Sequence, residues 1–206
     1  MDAFETEHAF YYTSSPTRLI KLLDRWFVFQ KIIELPGPIY ELGVFKGVGL
    51  IQWATFIKST KKVTALVGFD TFGKFPAPSP EIDDIDYVSQ FIKNAGSQSI
   101  DINLLKKIMR RKILDYNLKL IQGDGCQTIP PYSTNAEKPK LINLDFDLYE
   151  PSITALRSFW PKLVKGGILL IDDYDESSGV RKAVSQYFED RIPERTPYRK
   201  LAYFIK

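Results

Sequence analysis

The feature that most constrains this chain is a pair of acidic segments, each set directly behind an apolar run. Leu144-Asp145-Phe146-Asp147-Leu148-Tyr149-Glu150 follows Leu141 and Ile142, and Asp172-Asp173-Tyr174 follows Ile168, Leu169, Leu170 and Ile171. Short apolar runs of this kind read as buried strands. Between them Pro151 opens a helix with Ile153, Leu156, Phe159, Trp160 and Leu163 on one face, and Gly166-Gly167 ends it. Strand–helix–strand makes the two strands parallel neighbours, with both carboxylate groups at their C-terminal ends. Adjacent strands lie about 4.8 Å apart. Asp145, Asp172 and Asp173 gathered there repel one another unless something positive sits between them. A hard divalent cation, Mg²⁺ or Ca²⁺, suits an oxygen-only set. Ordinary strand-end aspartates that cap the next helix explain one carboxylate per turn, but not Asp172 beside Asp173 with Asp145 before Asp147. Open parallel sheets bind ligands at this edge, so the segments read as a metal-binding or catalytic site.

The rest of the chain fits the same pattern. Ser15-Pro16 starts a helix that Pro36-Gly37-Pro38 stops. Ile39 to Leu42 reads as a first strand, Val63 to Phe69 as a second ending at Asp70, Leu118 to Gln122 as a third, and Leu201 to Ile205 as the last. Helices are expected from about Val48 to Ile57 and behind Ser177-Ser178. Strands alternating with helices give an α/β, doubly wound sheet. The connection from Thr71 to Asn117 is much longer than the dozen or so residues a crossover needs. It holds a Pro-rich segment, Phe75 to Pro80, an acidic one, Glu81 to Asp86, and two amphipathic helices. It reads as an insertion covering the active edge of the sheet.

Composition narrows the function. At 206 residues the chain is expected to form one domain, and 44% apolar with 26% charged residues is ordinary for a globular protein. The net charge is only +3. The densest basic run, Lys106-Lys107 with Arg110-Arg111-Lys112, reads as a solvated helix face rather than a nucleic-acid patch. One cysteine, Cys126, excludes an intramolecular disulfide and argues for a reducing compartment. The first residues lack the apolar core of a signal peptide, and no run approaches the roughly 18 apolar residues of a membrane span. A cytoplasmic protein without a membrane or nucleic-acid partner is expected. His8 is the only histidine, which excludes His-rich zinc sites and any serine–histidine triad not built on that residue.

Glu41-Leu42-Gly43-Val44-Phe45-Lys46-Gly47 follows the first strand and opens a helix. Glycine permits a tight turn and close approach of a ligand to the backbone. The pattern lacks the three glycines of a dinucleotide fingerprint, and Glu41 would suit a cationic amino-acid ligand better than a pyrophosphate. Asp70 ends the second strand, where a carboxylate can accept from ribose hydroxyls, and Asp124 ends the third, where adenine-contacting groups lie.

With these pieces in order, the chain resembles the class I S-adenosylmethionine-dependent methyltransferases. More narrowly, it is similar to the macrocin O-methyltransferase family, which methylates sugar hydroxyls in antibiotics, nucleotide-linked deoxysugars and surface glycans. The matching segments are 41–47, Gly68 to Pro76, Gly123-Asp124, Leu144 to Tyr149 and Gly166 to Tyr174. The segment between Phe188 and Leu201 is short and Pro-rich, so a reduced last hairpin is expected. The resemblance implies a Rossmann-like, mostly parallel seven-stranded sheet with helices on both faces. It implies one domain over 1–206, with an N-terminal helix at 15–34 and a lid-like insertion at about 72–117. It also implies S-adenosylmethionine at Glu41, Gly43, Val44, Gly47, Asp70, Thr71, Asp124 and Asp145. A divalent cation, Mg²⁺ by preference, would sit on Asp145, Asp172 and Asp173, with Asp145 or Asp147 accepting the proton. Phe10, Tyr11 and Tyr12 would either close over the sulfonium or pack on the sheet. The acceptor would be a small molecule or glycan, and homodimers are frequent in the family. Competing readings are methylation of a catechol-like phenol and a non-catalytic S-adenosylmethionine-binding module.

Overall fold

The computed structural model describes residues 2–77 and 84–206. The middle of the expected insertion, from Pro78 through the first acidic residues to Asp83, lies outside the described residues. The elements are α1 (Ala3–Thr13), α2 (Pro16–Ile32), β1 (Ile39–Leu42), α3 (Val48–Thr60), β2 (Leu66–Asp70), α4 (Asp84–Ala95) and α5 (Ile102–Arg111). They continue with β3 (Leu118–Gln122), α6 (Gly125–Thr134), β4 (Leu141–Leu144), α7 (Tyr149–Phe159), β5 (Ile168–Ile171), α8 (Ser178–Tyr187), β6 (Glu194–Arg195) and β7 (Ala202–Ile205). The sheet runs in the order β3-β2-β1-β4-β5-β7-β6. The first five strands in that row are parallel, and β7 is antiparallel to β5. This is the expected doubly wound, mostly parallel seven-stranded fold. The hairpin is reduced as anticipated, since β6 has two residues.

Period-two alternation sorts the strand residues onto two cores. Tyr40, Leu42, Ile142, Leu144, Leu169 and Ile171 face α6, α7 and α8. Ile39, Leu66, Leu141, Ile168 and Leu170 face α2, α3 and α5, where Phe29, Trp53 and Met109 are fully buried. Each such large apolar side chain contributes about 1.5–3 kcal/mol on burial. The same parity decides where the polar strand residues point. Glu41, Asn143, Asp145 and Asp172 share the phase of Ile39, Leu141 and Ile168, the face covered by α2.

Two helices carry no clear signal in the apolar spacing. α1 is set by a capping box, Asp2 accepting from the Glu5 N–H and Glu5 reaching back to the Asp2 N–H. Its His8 ring lies between those of Phe4 and Tyr12. α6 contains Pro130 and Pro131, a pair that reads as a helix breaker; Asp124 caps it and Ile129 anchors it in the core. Among the described residues no helix is long and apolar enough to cross a membrane.

Candidate active site

Strand order reverses between β1 and β4, the position where open α/β sheets bind ligands. A cleft opens there, lined among others by Gly43, Asp70, Thr71, Asp124, Asp145 and Asp147. Its floor depends on Gly43. With φ at +98°, a Cβ on this residue would lie 1.9 Å from the Asp145 carbonyl oxygen, so only glycine lets the turn after β1 meet the turn after β4. Gly43→Ala is expected to lose about 2 kcal/mol or more of stability, from strain and steric conflict together. Urea denaturation would measure it, and a loss under about 1 kcal/mol would mean the two turns can part freely.

Asp70 organises the opposite wall. Its Oδ2 accepts from the Val44 N–H at 2.9 Å and the Phe45 N–H at 2.8 Å, and its Oδ1 from the Phe72 N–H at 2.7 Å. Backbone groups thus use three of its roughly four acceptor positions in joining the turns after β1 and β2. Thr71 Oγ1 donates to the Lys74 carbonyl. Asp124 accepts from the Cys126 N–H at 2.9 Å as the cap of α6. Gly47, at φ +84°, precedes α3 and faces Leu105 rather than the cleft.

Glu41 does not reach the cleft. It is 1% exposed, and its carboxylate accepts from Trp53 Nε1 at 2.6 Å and Asn143 Nδ2 at 2.9 Å. Gly49 makes room for it, because a Cβ there would lie 2.0 Å from Glu41 Oε1. Burial pushes the Glu41 carboxyl up, opposed by Arg25 and the two donors.

Asp145 and Asp147 of the cleft lining and the neighbouring Asp173 each place a carboxylate oxygen within 4.8 Å of the others. The ladder extends one residue past the strands to bring them there: the Asp145 N–H bonds the Leu42 carbonyl at 2.8 Å and the Asp172 N–H the Leu144 carbonyl at 2.9 Å. Asp147 and Asp173 sit at φ +64° and +49°, the left-handed region that aspartate enters more readily than most residues. Ser177 ties the two turns together, its hydroxyl donating to the Asp147 carbonyl at 2.8 Å. The oxygen-only set and its spread fit a divalent cation, whose ligands must close to about 2.0–2.6 Å.

Asp172 is placed differently from the other three. Parity turns it under α2, where Lys21 Nζ lies 2.6 Å and Arg25 Nη2 3.0 Å from its Oδ2; its Oδ1 accepts from the Asp173 N–H. Arg25 also reaches Asp145 Oδ2 at 3.4 Å and Gln52 Oε1 at 2.8 Å. Burial works against the Asp172 charge, but Lys21 and Arg25 outweigh it and hold the carboxyl down at about 2. Its neighbours go the other way. Burial and the Asp172 charge raise Asp145 well above the carboxylate range and Asp173 to about 6. Burial and Asp173 raise Asp147 as well. Asp172, expected beside Asp145 and Asp173, is paired with Lys21 and Arg25 of α2, and Asp147 lies within 4.8 Å of Asp145 and Asp173.

Three side chains at the site escaped the sequence reading: Lys21, Arg25 and Tyr87. Tyr87, on α4, donates its hydroxyl to Asp147 Oδ1 at 2.9 Å. One residue turn earlier, Asp84 Oδ2 accepts from the Tyr149 N–H at 3.0 Å, so α4 is fastened to the turn that carries the acidic cluster. The helical spacing of Lys21 and Arg25, four apart, was the available signal, since it puts both on one face. Phe10, Tyr11 and Tyr12 lie on α1 and are exposed.

The family model described as Macrocin-O-methyltransferase (TylF) matches residues 20–196. The chain is similar to the 8-demethyl-8-(2,3-dimethoxy-alpha-L-rhamnosyl)-tetracenomycin-C 4'-O-methyltransferase of Streptomyces olivaceus, with 26% identity over 155 residues, 74% of this chain and 58% of that protein. It is similar to the mycinamicin III 3''-O-methyltransferase of Micromonospora griseorubida, with 24% identity over 160 residues, 74% of this chain and 61% of that protein. The chain therefore spans about three fifths of the length of the curated relatives it matches. Among solved structures it shares its fold with the calicheamicin methyltransferase CalS11, with a TM-score of 0.79 at 23% identity, covering 100% of this chain and 86% of the other. CalS11 is also described as a TDP-rhamnose 3'-O-methyltransferase.

Proposed function

The chain belongs to the macrocin-O-methyltransferase (TylF) family, and from that premise we propose that it moves a methyl group from S-adenosylmethionine to a sugar hydroxyl with the help of a divalent cation. The sugar would be a deoxysugar on a small molecule, a nucleotide or a glycan, as the rhamnose-directed relatives suggest. The observation that carries this reading is the meeting of two features in one cleft. A glycine turn and strand-end carboxylates line it, Asp145 and Asp147 among them, and Asp173 places a carboxylate oxygen within 4.8 Å of those two.

S-adenosylmethionine would lie along Gly43, Val44, Asp70, Thr71 and Asp124, and Asp145 and Asp173 would hold the cation together with Asp172, once that carboxylate gives up its contact with Lys21. When bound, the first supplies a sulfonium methyl and the second a Lewis acid that lowers the pKa of a hydroxyl. The chain's own residues do the rest. Asp147, left free by that ligand set, takes the hydroxyl proton as the O–CH₃ bond forms and the S–CH₃ bond breaks. Burial and the Asp173 charge raise its carboxyl, which makes its carboxylate a stronger proton acceptor. Tyr87 fixes the orientation of Asp147 through Oδ1. The segment 72–117, which includes α4 and α5, acts as a lid that shapes the acceptor pocket and excludes water. Holding the reacting atoms in line supplies much of the acceleration.

Mass spectrometry of reactions with free sugars, nucleotide-linked deoxysugars and catechols tests the acceptor class. Excess chelator is expected to lower turnover at least 100-fold and Mg²⁺ to restore it, while S-adenosylhomocysteine binding by calorimetry changes less than about threefold, in keeping with cation chemistry confined to the acceptor side. Methylation of catechols alone would overturn the sugar reading. Full activity in chelator would remove the cation from it.

A further inference from the structure

We propose that Lys21 is a built-in counter-cation of the acidic cluster, and that its ammonium group and a divalent cation are alternative partners of Asp172 and Asp173. The inference rests on the cation reading above. Lys21 Nζ lies 2.6 Å from Asp172 Oδ2 and 4.0 Å from Asp173 Oδ1. These are two of the three carboxylates assigned to the cation. An ammonium group there supplies the positive charge that the crowded aspartates require.

The two basic residues of α2 are not equivalent. Arg25 is locked: its side chain is 5% exposed, it bonds Gln52, Asp145 and Asp172, and it lies over the Trp53 ring at 6.0 Å. Lys21 is 22% exposed, and its recorded ion pairs are those to Asp172 and Asp173. It carries a compact charge on a flexible four-carbon stem, so it can swing out to water while Arg25 stays. A divalent cation on Asp172 and Asp173 would lie within a few ångströms of the ammonium group, where like charges repel strongly. One must leave, and Lys21 is the group with a path to solvent. With no divalent cation bound, Lys21 keeps Asp172 and Asp173 in place and spares the cluster its own repulsion. Metal binding is then an exchange of one cation for another, which lowers metal affinity relative to a bare cluster.

Direct Mn²⁺ binding, followed by electron paramagnetic resonance and calorimetry on the full chain, tests the exchange. Lys21→Met is expected to bind Mn²⁺ at least tenfold more tightly than the wild type, and Lys21→Gln to shift the same way. Lys21→Arg, which keeps the charge, should stay within about threefold of wild type, as a charge-based effect requires. In chelator the melting temperature of Lys21→Met should fall below that of the wild type, and Mn²⁺ should recover it. Equal or weaker Mn²⁺ binding by both Lys21→Met and Lys21→Gln would overturn the inference and leave the cation reading intact. Tightening in Lys21→Arg as large as in Lys21→Met would overturn it too, because charge would not be the cause. No Mn²⁺ binding by any of the proteins would overturn the cation reading and this inference with it.

Discussion

Arg25→Met is expected to destabilise the protein by about 3–5 kcal/mol, the scale for removing one partner of a buried ion pair. Methionine fills much of the same volume, so the loss reports charge rather than a cavity. Arg25 is 4% exposed and its guanidinium faces Asp172, Asp145 and, at longer range, Glu41. Its fork spans α2, α3 and the ends of β4 and β5 at once. A lysine at this position could not reproduce that geometry. The loss should also depend on pH. In the wild type Asp172 titrates at about 2, below the unfolded value near 3.9. Its pairing therefore contributes stability that is present above about pH 4 and lost as pH falls toward 2. Without Arg25 the folded carboxyl climbs, so the variant's deficit is largest at neutral pH and shrinks in acid. Urea denaturation at pH 7 and pH 4 measures both. A deficit under about 1 kcal/mol at pH 7, of the size seen for exposed pairs, would mean that Lys21 alone neutralises the cluster.

The arginine also marks where the sequence stops being legible. Strand positions, the parallel order and the arrival of two acidic turns at one edge follow from local apolar runs and from the handedness of strand–helix–strand units. Those signals are short in range, and the structure has all of them. Glu41 and Asp172 depend on a second signal, alternation, which sends both under α2 with Ile39 and Ile168 rather than into the cleft. Alternation was readable, but its use required knowing which helix covers which face. The pairing of Lys21 and Arg25 with Asp172 spans about 150 residues of chain, and no local pattern encodes it. α6 was hidden for another reason: Pro130 and Pro131 remove two backbone donors, yet the Asp124 cap and the burial of Ile129 hold the helix. Tyr87 falls in one of the two amphipathic helices expected in the insertion, and a tyrosine shows its polar end only when its neighbour is known.

Asp147→Asn is expected to lower turnover by about 10²–10⁴, the range of a lost general base, with S-adenosylhomocysteine affinity changed less than threefold. Asparagine keeps the shape and tolerates the positive φ of this position, so the fold should survive. What it loses is the ability to accept a proton. Asp147 is 7% exposed, and burial with the Asp173 charge raises its carboxyl well above the ordinary range. In the wild type, activity should therefore fall as acid protonates Asp147, and that limb of the pH–rate profile should be missing from the residual activity of the variant. Tyr87→Phe supplies the companion measurement. The Tyr87 hydroxyl donates to one oxygen of Asp147, which favours the ionised carboxylate; burial and the Asp147 charge keep that phenol protonated, as their upward push on it requires. Phenylalanine should cut turnover about tenfold and move the acidic limb to higher pH, because the carboxylate loses a donor. If Asp147→Asn keeps more than a tenth of wild-type turnover, and its pH profile is unchanged, Asp147 is not the base and Asp145 becomes the residue to test.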